Sequence, residues 1–152
     1  MTVIRDLLSY RLHVVANLLS RSAELRYRRE FGVSLWEWRT VALLGGAGEP
    51  LSLNELARSA GIDKSQMSRV VSGLTRRRIV LRAADSSDGR GVRLALSKAG
   101  QRLYEGLIHA AGERDAVFMA SLSQEEKKAL DRVLAKLADK ARGLIQNERE
   151  AA

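Results

Sequence analysis

Apolar residues recur at spacings of three and four along most of the chain, which is the period of an amphipathic α-helix. The pattern is clearest over residues 3–29 and over about 24 residues that follow Ser123. A further helix is predicted over residues 97–122, and shorter stretches with the same period cover residues 34–46, 52–61 and 63–78. The pattern therefore predicts a mainly helical protein with long helices near both ends.

Four of these stretches begin with residues that cap a helix N-terminus. In a capping box the first side chain accepts a hydrogen bond from a backbone N–H three residues on, and the acidic or amide side chain there accepts one in return. The pairs are Ser34 with Glu37, Ser52 with Glu55, Ser123 with Glu126, and Asp63 with Gln66. Helix starts are therefore predicted at these four positions.

The middle of the chain combines two short helices with a β-hairpin. A turn at Gly61 and Ile62 separates the two helices, which predicts a helix-turn-helix. IVLRAA is a strand candidate before the turn-forming DSSDGRG, and after that turn Val92, Leu94 and Leu96 of VRLALS share one face by period-2 alternation. We therefore predict a mainly α protein with a small β-hairpin wing. The winged helix-turn-helix lies at residues 51–97, between long N- and C-terminal helices.

Size and charge narrow the class of partner. The chain has 152 residues, enough for one domain, and 26 Lys and Arg against 18 Asp and Glu give a net charge of +8. This excess favours a polyanionic partner, either nucleic acid or a membrane surface. No apolar run is long enough to span a bilayer, and the N-terminal segment carries Asp6 and Arg11, which a signal peptide would lack. We expect a cytoplasmic protein with no membrane partner.

No residues have the spacing of an active site or a metal site. The two histidines, His13 and His109, lie on different predicted helices, and neither is near a nucleophile motif. The aspartates of DSSD resemble a calcium loop, but Arg90 stands where an acidic ligand would be needed. The absence of cysteine excludes thiolate chemistry and cysteine-based zinc sites. We predict neither an enzyme nor a bound metal or cofactor.

The winged segment resembles the MarR/SlyA family of bacterial transcription regulators. The resemblance rests on residues 51–100, above all on Asp88-Gly-Arg90 followed by Arg93-Leu-Ala-Leu-Ser-Lys-Ala-Gly100. This run is similar to that family's wing signature of Asp, Arg, a Leu-x-Leu strand, Ser or Thr, and Gly. The resemblance implies a homodimer that binds a palindromic operator in double-stranded DNA, usually as a repressor released by a small molecule.

The same resemblance assigns residues that contact DNA. A recognition helix would face the major groove, and a wing arginine, oriented by an aspartate, would enter the minor groove. The residues are Ser65, Gln66, Ser68 and Arg69 on the helix, and Asp88 and Arg90 on the wing. Side-chain chemistry agrees for Arg69 and Gln66, which can pair bidentately with guanine and adenine. Arg76 and Arg77, at the predicted end of the helix, suit either the helix dipole or DNA phosphates.

One position departs from the family pattern. Arg78 stands where that pattern most often has glycine, between the recognition helix and the first wing strand. If the position requires a left-handed backbone, a residue other than glycine costs about 1–2 kcal/mol there. We therefore expect the exit from the helix to differ locally.

The terminal helices suggest how the chain assembles. Residues 1–30 and 98–150 carry more apolar side chains than one winged unit can cover. We predict that these helices join two copies of a single MarR-type domain, residues 1–152, because winged helix-turn-helix proteins usually bind two half-sites with two-fold symmetry. A monomer that folds them against each other is the alternative.

A small-molecule effector is also implied by the resemblance, in a cleft between the dimer helices and the DNA-binding lobe. The candidate residues near that cleft are Tyr10, Arg11, His13, Trp36, Trp38 and Arg39. Aromatic rings beside cations would suit an aromatic carboxylate or a related thioester. Core packing by the two tryptophans is an equal interpretation.

Two other classes of function stay open from the sequence. An architectural DNA-binding protein without an effector would share the basic charge but show little preference for one sequence over random DNA. A protein-interaction module with the same fold would show no salt-dependent DNA binding. The residues favour a sequence-specific repressor.

Overall fold

The computed structural model describes residues 3–84 and 91–151. These residues form six α-helices and a three-stranded sheet, which confirms the predicted mainly α fold with a β-hairpin wing. The helices are α1 (Leu8–Phe31), α2 (Leu35–Gly46), α3 (Leu53–Ala60), α4 (Lys64–Arg76), α5 (Lys98–Ala120) and α6 (Gln124–Ala151). The strands are β1 (Leu51–Ser52), β2 (Val80–Ala84) and β3 (Val92–Leu96). α1 begins later than predicted, after a 3-10 turn at Ile4–Asp6.

The predicted caps form as hydrogen bonds. Ser34 Oγ accepts from the Glu37 backbone N at 3.2 Å, and Glu37 Oε2 accepts from the Ser34 backbone N at 2.8 Å. The same reciprocal bonds join Ser52 to Glu55 and Ser123 to Glu126. Asp63 Oδ1 accepts from the Gln66 backbone N at 2.8 Å. Local side-chain chemistry therefore determines where α2, α3, α4 and α6 begin.

The sheet has the strand order β1-β3-β2 and is antiparallel throughout. β2 and β3 are the two predicted hairpin strands, paired from Val80 with Leu96 to Ala84 with Val92. β1 was not predicted, since a strand of two residues has no detectable period. It pairs Ser52 with Arg93 and so connects the start of α3 to the wing.

The chain divides into two compact units, residues 1–111 and 112–152. The core of the first unit joins α1, α2, α3, α4, the sheet and the first part of α5. Its largest fully buried side chains are Tyr27, Leu56, Met67, Leu74, Leu94 and Leu107. In the second unit, α6 has no buried residue over its 28 residues. Its Leu144 and Ile145 are 52% and 54% exposed.

Two glycines in α5 lie where other elements come too close for a side chain. A Cβ added at Gly100 would lie 2.2 Å from the Ile79 carbonyl oxygen, and one at Gly106 would lie 2.8 Å from the Phe31 ring. At Gly112, by contrast, a Cβ would have no neighbour within 4 Å among the described residues. The first two glycines therefore have a packing role that compensates for their low helix propensity.

The exit from α4 has a left-handed residue despite the arginine there. Arg78 has φ = 57°, and among the residues of 3–84 and 91–151 no other residue except glycine has a positive φ. Its backbone N donates to the Thr75 carbonyl at 2.9 Å, and its carbonyl accepts from Ser97 Oγ at 2.7 Å. The arginine therefore takes the conformation that glycine adopts most readily, and these bonds hold it there.

Candidate nucleic-acid interface

The orientation of α4 is set by its apolar face. Met67, Val71 and Leu74 are fully buried and lie three or four residues apart, on one side of the helix. Thr40, a buried polar residue on α2, donates from Oγ1 to the Met67 sulfur at 3.5 Å. α4 is therefore fixed against the core, and its opposite face is directed to solvent.

The solvent face of α4 carries three of the predicted DNA contacts. Ser65, Arg69 and Arg76 are all exposed. They lie four and seven residues apart, which places them on one side of a helix with 3.6 residues per turn. Within the described residues, Arg69 and Arg76 form no ion pair, so both guanidinium groups are available to an anionic partner.

Gln66 and Ser68 lie at the two edges of this face and are half-buried. Ser68 lines a cavity of about 140 Å³ between α4 and the wing strands, together with Arg82 and four apolar residues. Gln66 lies in the first turn of α4, where its backbone N donates to Asp63. The structure thus brings the four helix candidates together at one end of α4, with Ser65 and Arg69 the more exposed.

Arg77 is placed differently from Arg76. It is the C-cap residue of α4, and its Nη1 lies 3.1 Å from Glu37 Oε1 on α2. Its side chain is 41% exposed and that of Glu37 is 20% exposed. A carboxylate at this distance offsets most of the charge that Arg77 would offer to a phosphate.

Arg82 on β2 is a further cation beside α4, and no role for it was predicted from the sequence. Its Nη2 donates to Ser72 Oγ at 3.3 Å, and Ser72 lies three residues after Arg69 on α4. The signal was weak in the sequence, because an arginine on a hairpin strand is most simply a solvated residue. The contact with α4 comes from the way the hairpin folds back.

The structure describes both wing strands but not residues 85–90 in the turn between them. β2 ends at Ala84 and β3 begins at Val92. The predicted wing pair, Asp88 and Arg90, lies outside the described residues, so its role stays a prediction.

Arg93, on β3, is bound to the start of α3. Its Nη1 lies 2.9 Å from Glu55 Oε2 and 3.4 Å from the Pro50 carbonyl oxygen. Hydrogen bonds from the Ser52 backbone N–H and side chain lower the pKa of Glu55, and the positive charges of Arg93 and Arg58 lower it further. Glu55 is therefore held in its charged form, which the ion pair with Arg93 requires.

The candidate effector residues fall into two groups. Trp38 and Arg39 line an open cleft of about 340 Å³ between α2 and α3, with Ser59 among its other residues. Arg39 donates to Ser20 Oγ at 3.0 Å, and its guanidinium carbon lies 4.9 Å from the centre of the Trp36 ring. Trp38 also packs against the core, 5.1 Å from the Tyr27 ring. Trp38 therefore both packs against the core and lines a cleft, so both interpretations of this residue have structural support.

The other three candidates lie near the start of α1. Tyr10 is half-buried, whereas Arg11 and His13 are exposed. His13 shares a hydrogen bond of 2.9 Å with Asn17 on the same helix. Tyr10 precedes Ser20, where Arg39 contacts α1, by about 15 Å along the helix axis. These three residues do not line the cleft at Trp38 and Arg39.

Membrane-spanning helices and metal-binding clusters are both absent from the part of the chain that the structure describes. None of the helices in the described ranges is both long enough and apolar enough to cross a membrane. The same residues contain no group of three or more histidine or acidic side chains placed to hold a metal ion.

Comparison with known proteins identifies the family. The MarR family model matches residues 31–91. The HTH-type transcriptional regulator FarR of Neisseria gonorrhoeae is 31% identical over 102 residues, which are 67% of this chain and 69% of FarR. The match therefore extends well beyond the winged segment.

Solved structures agree with this match. A MarR/EmrR family transcriptional regulator from Acinetobacter sp. ADP1 is 28% identical with a TM-score of 0.82, over 89% of this chain and 94% of that one. The MepR–DNA complex of S. aureus is 20% identical with a TM-score of 0.79, over 88% of this chain and 98% of that one, and at this identity it shows the fold alone. The chain belongs to the MarR family of winged helix-turn-helix transcriptional regulators, which is not a family of enzymes.

Proposed function

We propose that this MarR-family regulator is a sequence-specific repressor that binds a palindromic operator as a homodimer. The observation that carries the proposal is the solvent face of α4, where Ser65, Arg69 and Arg76 are exposed on a helix whose other face is fixed in the core. A protein of the same fold has been solved with DNA, which supports a nucleic-acid partner. The net charge of +8 suits that partner, and we place the protein in the cytoplasm with the DNA.

Different residues of α4 would contact the bases and the phosphates of DNA. Arg69 suits bidentate bonds to guanine, and Gln66 suits the corresponding bonds to adenine. Ser65 and Ser68 would contact base edges or phosphates at the same end of the helix. Arg76 would bind phosphate, which fixes register without reading sequence.

The wing would add a minor-groove contact. Arg90 lies within the turn DSSDGRG, where Gly89 and Gly91 permit a sharp bend. A narrow A·T-rich minor groove concentrates negative potential and attracts such an arginine. Asp88 would orient the guanidinium through a charge-assisted bond.

The terminal helices support the homodimer. α6 buries no residue in a single chain, and on α1 Leu8, Leu18 and Leu25 are 52%, 66% and 63% exposed. Apolar area of this extent on long helices is typical of an interface between chains. In a dimer the two recognition helices would lie about one turn of the DNA duplex apart. The centres of the two half-sites should therefore lie about 10 base pairs apart.

The cleft at Trp38 and Arg39 is the effector site that we favour. Its aromatic ring and guanidinium suit an aromatic carboxylate or its thioester. Arg39 already bonds to Ser20 of α1. The site therefore lies beside a contact between α1 and α2.

Selection of bound fragments from genomic DNA tests the proposal, with sedimentation of the free protein beside it. We expect recovered fragments to share an inverted repeat and the protein to sediment as a dimer at micromolar concentration. Fragments with no common sequence would favour the architectural alternative, and no salt-dependent binding at all would favour a protein-interaction module.

A further inference from the structure

α2, α3 and α6 begin with the same capping box, but two of the three boxes also bind an arginine. Glu37, in the box of α2, binds Arg77, and Glu55, in the box of α3, binds Arg93. Within the described residues, Glu126 in the box of α6 forms no ion pair. Capping alone therefore does not require the arginines, and the two that are bound both belong to the winged segment.

The first pair joins the end of the recognition helix to the α1–α2 junction. Glu37 Oε1 binds Arg77 Nη1 at 3.1 Å, while Glu37 Oε2 accepts from the Ser34 backbone N at 2.8 Å. A Cβ placed at Gly32, the C-cap of α1, would lie 4.0 Å from Arg77 Nη2. The cation is thus close to the negative end of the α1 dipole, and the carboxylate is at the positive end of the α2 dipole. One arginine therefore binds the start of α2 and lies near the end of α1.

The second pair joins the wing to the helix-turn-helix. Glu55 Oε2 accepts from both the Ser52 backbone N at 2.7 Å and Arg93 Nη1 at 2.9 Å. Arg93 Nη1 also lies 3.4 Å from the Pro50 carbonyl oxygen. Arg93 is on β3, three residues after Arg90 in the sequence. The start of α3 therefore holds the strand that leads from the wing tip.

We propose that Glu37 and Glu55 are positioning residues for DNA binding. Glu37 would hold the recognition helix in place through Arg77, and Glu55 would hold the wing through Arg93. The inference rests on the proposed operator binding and deepens it. It also changes the role expected of Arg77, which would act by orientation because its charge is already matched by a carboxylate.

The direction in which DNA affinity changes when the carboxylate charge is removed separates a positioning role from a purely electrostatic one. A carboxylate near DNA repels phosphates, so removing its charge should strengthen binding to any duplex. If the carboxylate positions an element, removing its charge should instead weaken binding to the operator, since the contacts with base edges depend on orientation. Glutamine preserves the capping hydrogen bond but not the charge, which makes Glu→Gln the substitution of choice.

The experiment compares Glu37→Gln and Glu55→Gln with the matched control Glu126→Gln. The full chain is titrated with a fragment selected by the wild type and with a scrambled duplex of equal length, over a series of salt concentrations. Arg77→Gln, Arg93→Gln and the two double variants complete two double-mutant cycles. Arg93→Lys keeps the ion pair as a conservative variant, and melting temperatures show that each variant is folded.

We expect each of the two Glu→Gln variants to weaken operator binding about tenfold, with scrambled-duplex binding unchanged or slightly stronger. The double variants should be no weaker than the single ones, Arg93→Lys should retain most of the affinity, and Glu126→Gln should bind like the wild type. The slope of log affinity against log salt should stay the same in Arg77→Gln and Arg93→Gln.

Three results would overturn the inference. They are unchanged or stronger operator binding in both Glu→Gln variants, an equal loss in Glu126→Gln, and a salt slope that falls by about 0.9 for each arginine removed, as lost phosphate contacts require. A wild type that binds both duplexes equally would refute the proposed function and this inference with it. A wild type that prefers the operator while the variants match it refutes the inference alone.

Discussion

The hydroxyl of Ser97 donates a hydrogen bond of 2.7 Å to the carbonyl oxygen of Arg78, and so connects the start of α5 to the exit from α4. The same hydroxyl accepts from the Gly100 backbone N at 3.0 Å. The Ser97 backbone N donates to the Ile79 carbonyl at 2.9 Å. A change in the position of α4 relative to the start of α5 would have to break or strain these bonds, so the two helices are held together at this junction.

Replacing Gly100 tests how closely α5 packs against Ile79 at that junction. A Cβ there would lie 2.2 Å from the Ile79 carbonyl oxygen, a backbone atom that cannot rotate away. We expect Gly100→Ala to lower the free energy of unfolding by about 1–3 kcal/mol. Gly112→Ala, on the same helix but in open space, should raise it by up to about 1 kcal/mol. Urea unfolding of both variants measures the difference, and equal shifts of the same sign would contradict the packing role of Gly100.

Arg78→Gly should stabilise the protein. Glycine relieves the left-handed strain of about 1–2 kcal/mol but adds flexibility to the unfolded chain, so we expect a net gain of about 0.5–1 kcal/mol. For a chain of this size the melting temperature should rise by about 2 °C. Arg78→Ala is the control, because it removes the same charge but keeps a Cβ. If alanine stabilises as much as glycine, the gain does not come from the backbone.

The lowered pKa of Glu55 predicts that its contribution to the stability of the fold is lost at acid pH. Bonds from Ser52, with the charges of Arg93 and Arg58, lower its pKa from the ordinary 4.5. A group whose pKa is lower in the folded state stabilises it above the unfolded pKa and loses that contribution as pH falls through the folded pKa. Wild type should therefore be more stable than Glu55→Gln at about pH 6, and the difference should shrink below pH 4.5. Thermal melts from about pH 6 to pH 3 check this, and a pH-independent difference would contradict it.

Arg39 is the side chain on which an effector response should depend. An aromatic carboxylate that pairs with its guanidinium should weaken DNA binding by the wild type, and Arg39→Ala should keep its DNA affinity but lose the response. Arg11→Ala shows whether the site reaches the start of α1. The measurement is operator affinity with and without a panel of aromatic acids and their thioesters. An unchanged response in Arg39→Ala would exclude the cleft at Trp38 and Arg39.

Much of the fold was predictable because its determinants are local. The period of Met67, Val71 and Leu74 predicts the buried face of α4, and the caps at Ser52 and Asp63 predict where the two helices of the motif begin. Each signal lies within a few residues of the structure it determines, so no knowledge of distant contacts is needed.

The contacts that orient the site were not predictable in this way. Arg77 meets a glutamate 40 residues earlier in the chain, and Arg93 meets one 38 residues earlier. Both glutamates were correctly predicted as caps, but a cap gives no sign that its carboxylate also binds a distant arginine. Likewise, the packing role of Gly100 depends on the close approach of Ile79, 21 residues earlier in the chain.

Sequence-specific DNA binding is tested most directly by the ratio of two affinities of the wild-type protein. One is for an operator fragment selected from genomic DNA, and the other is for a scrambled duplex of equal length, both at the same physiological salt concentration. If the exposed face of α4 and the wing read sequence as proposed, the operator should bind at least about 10³-fold more tightly. A ratio near one would contradict sequence-specific recognition and leave a basic protein that binds DNA through charge alone.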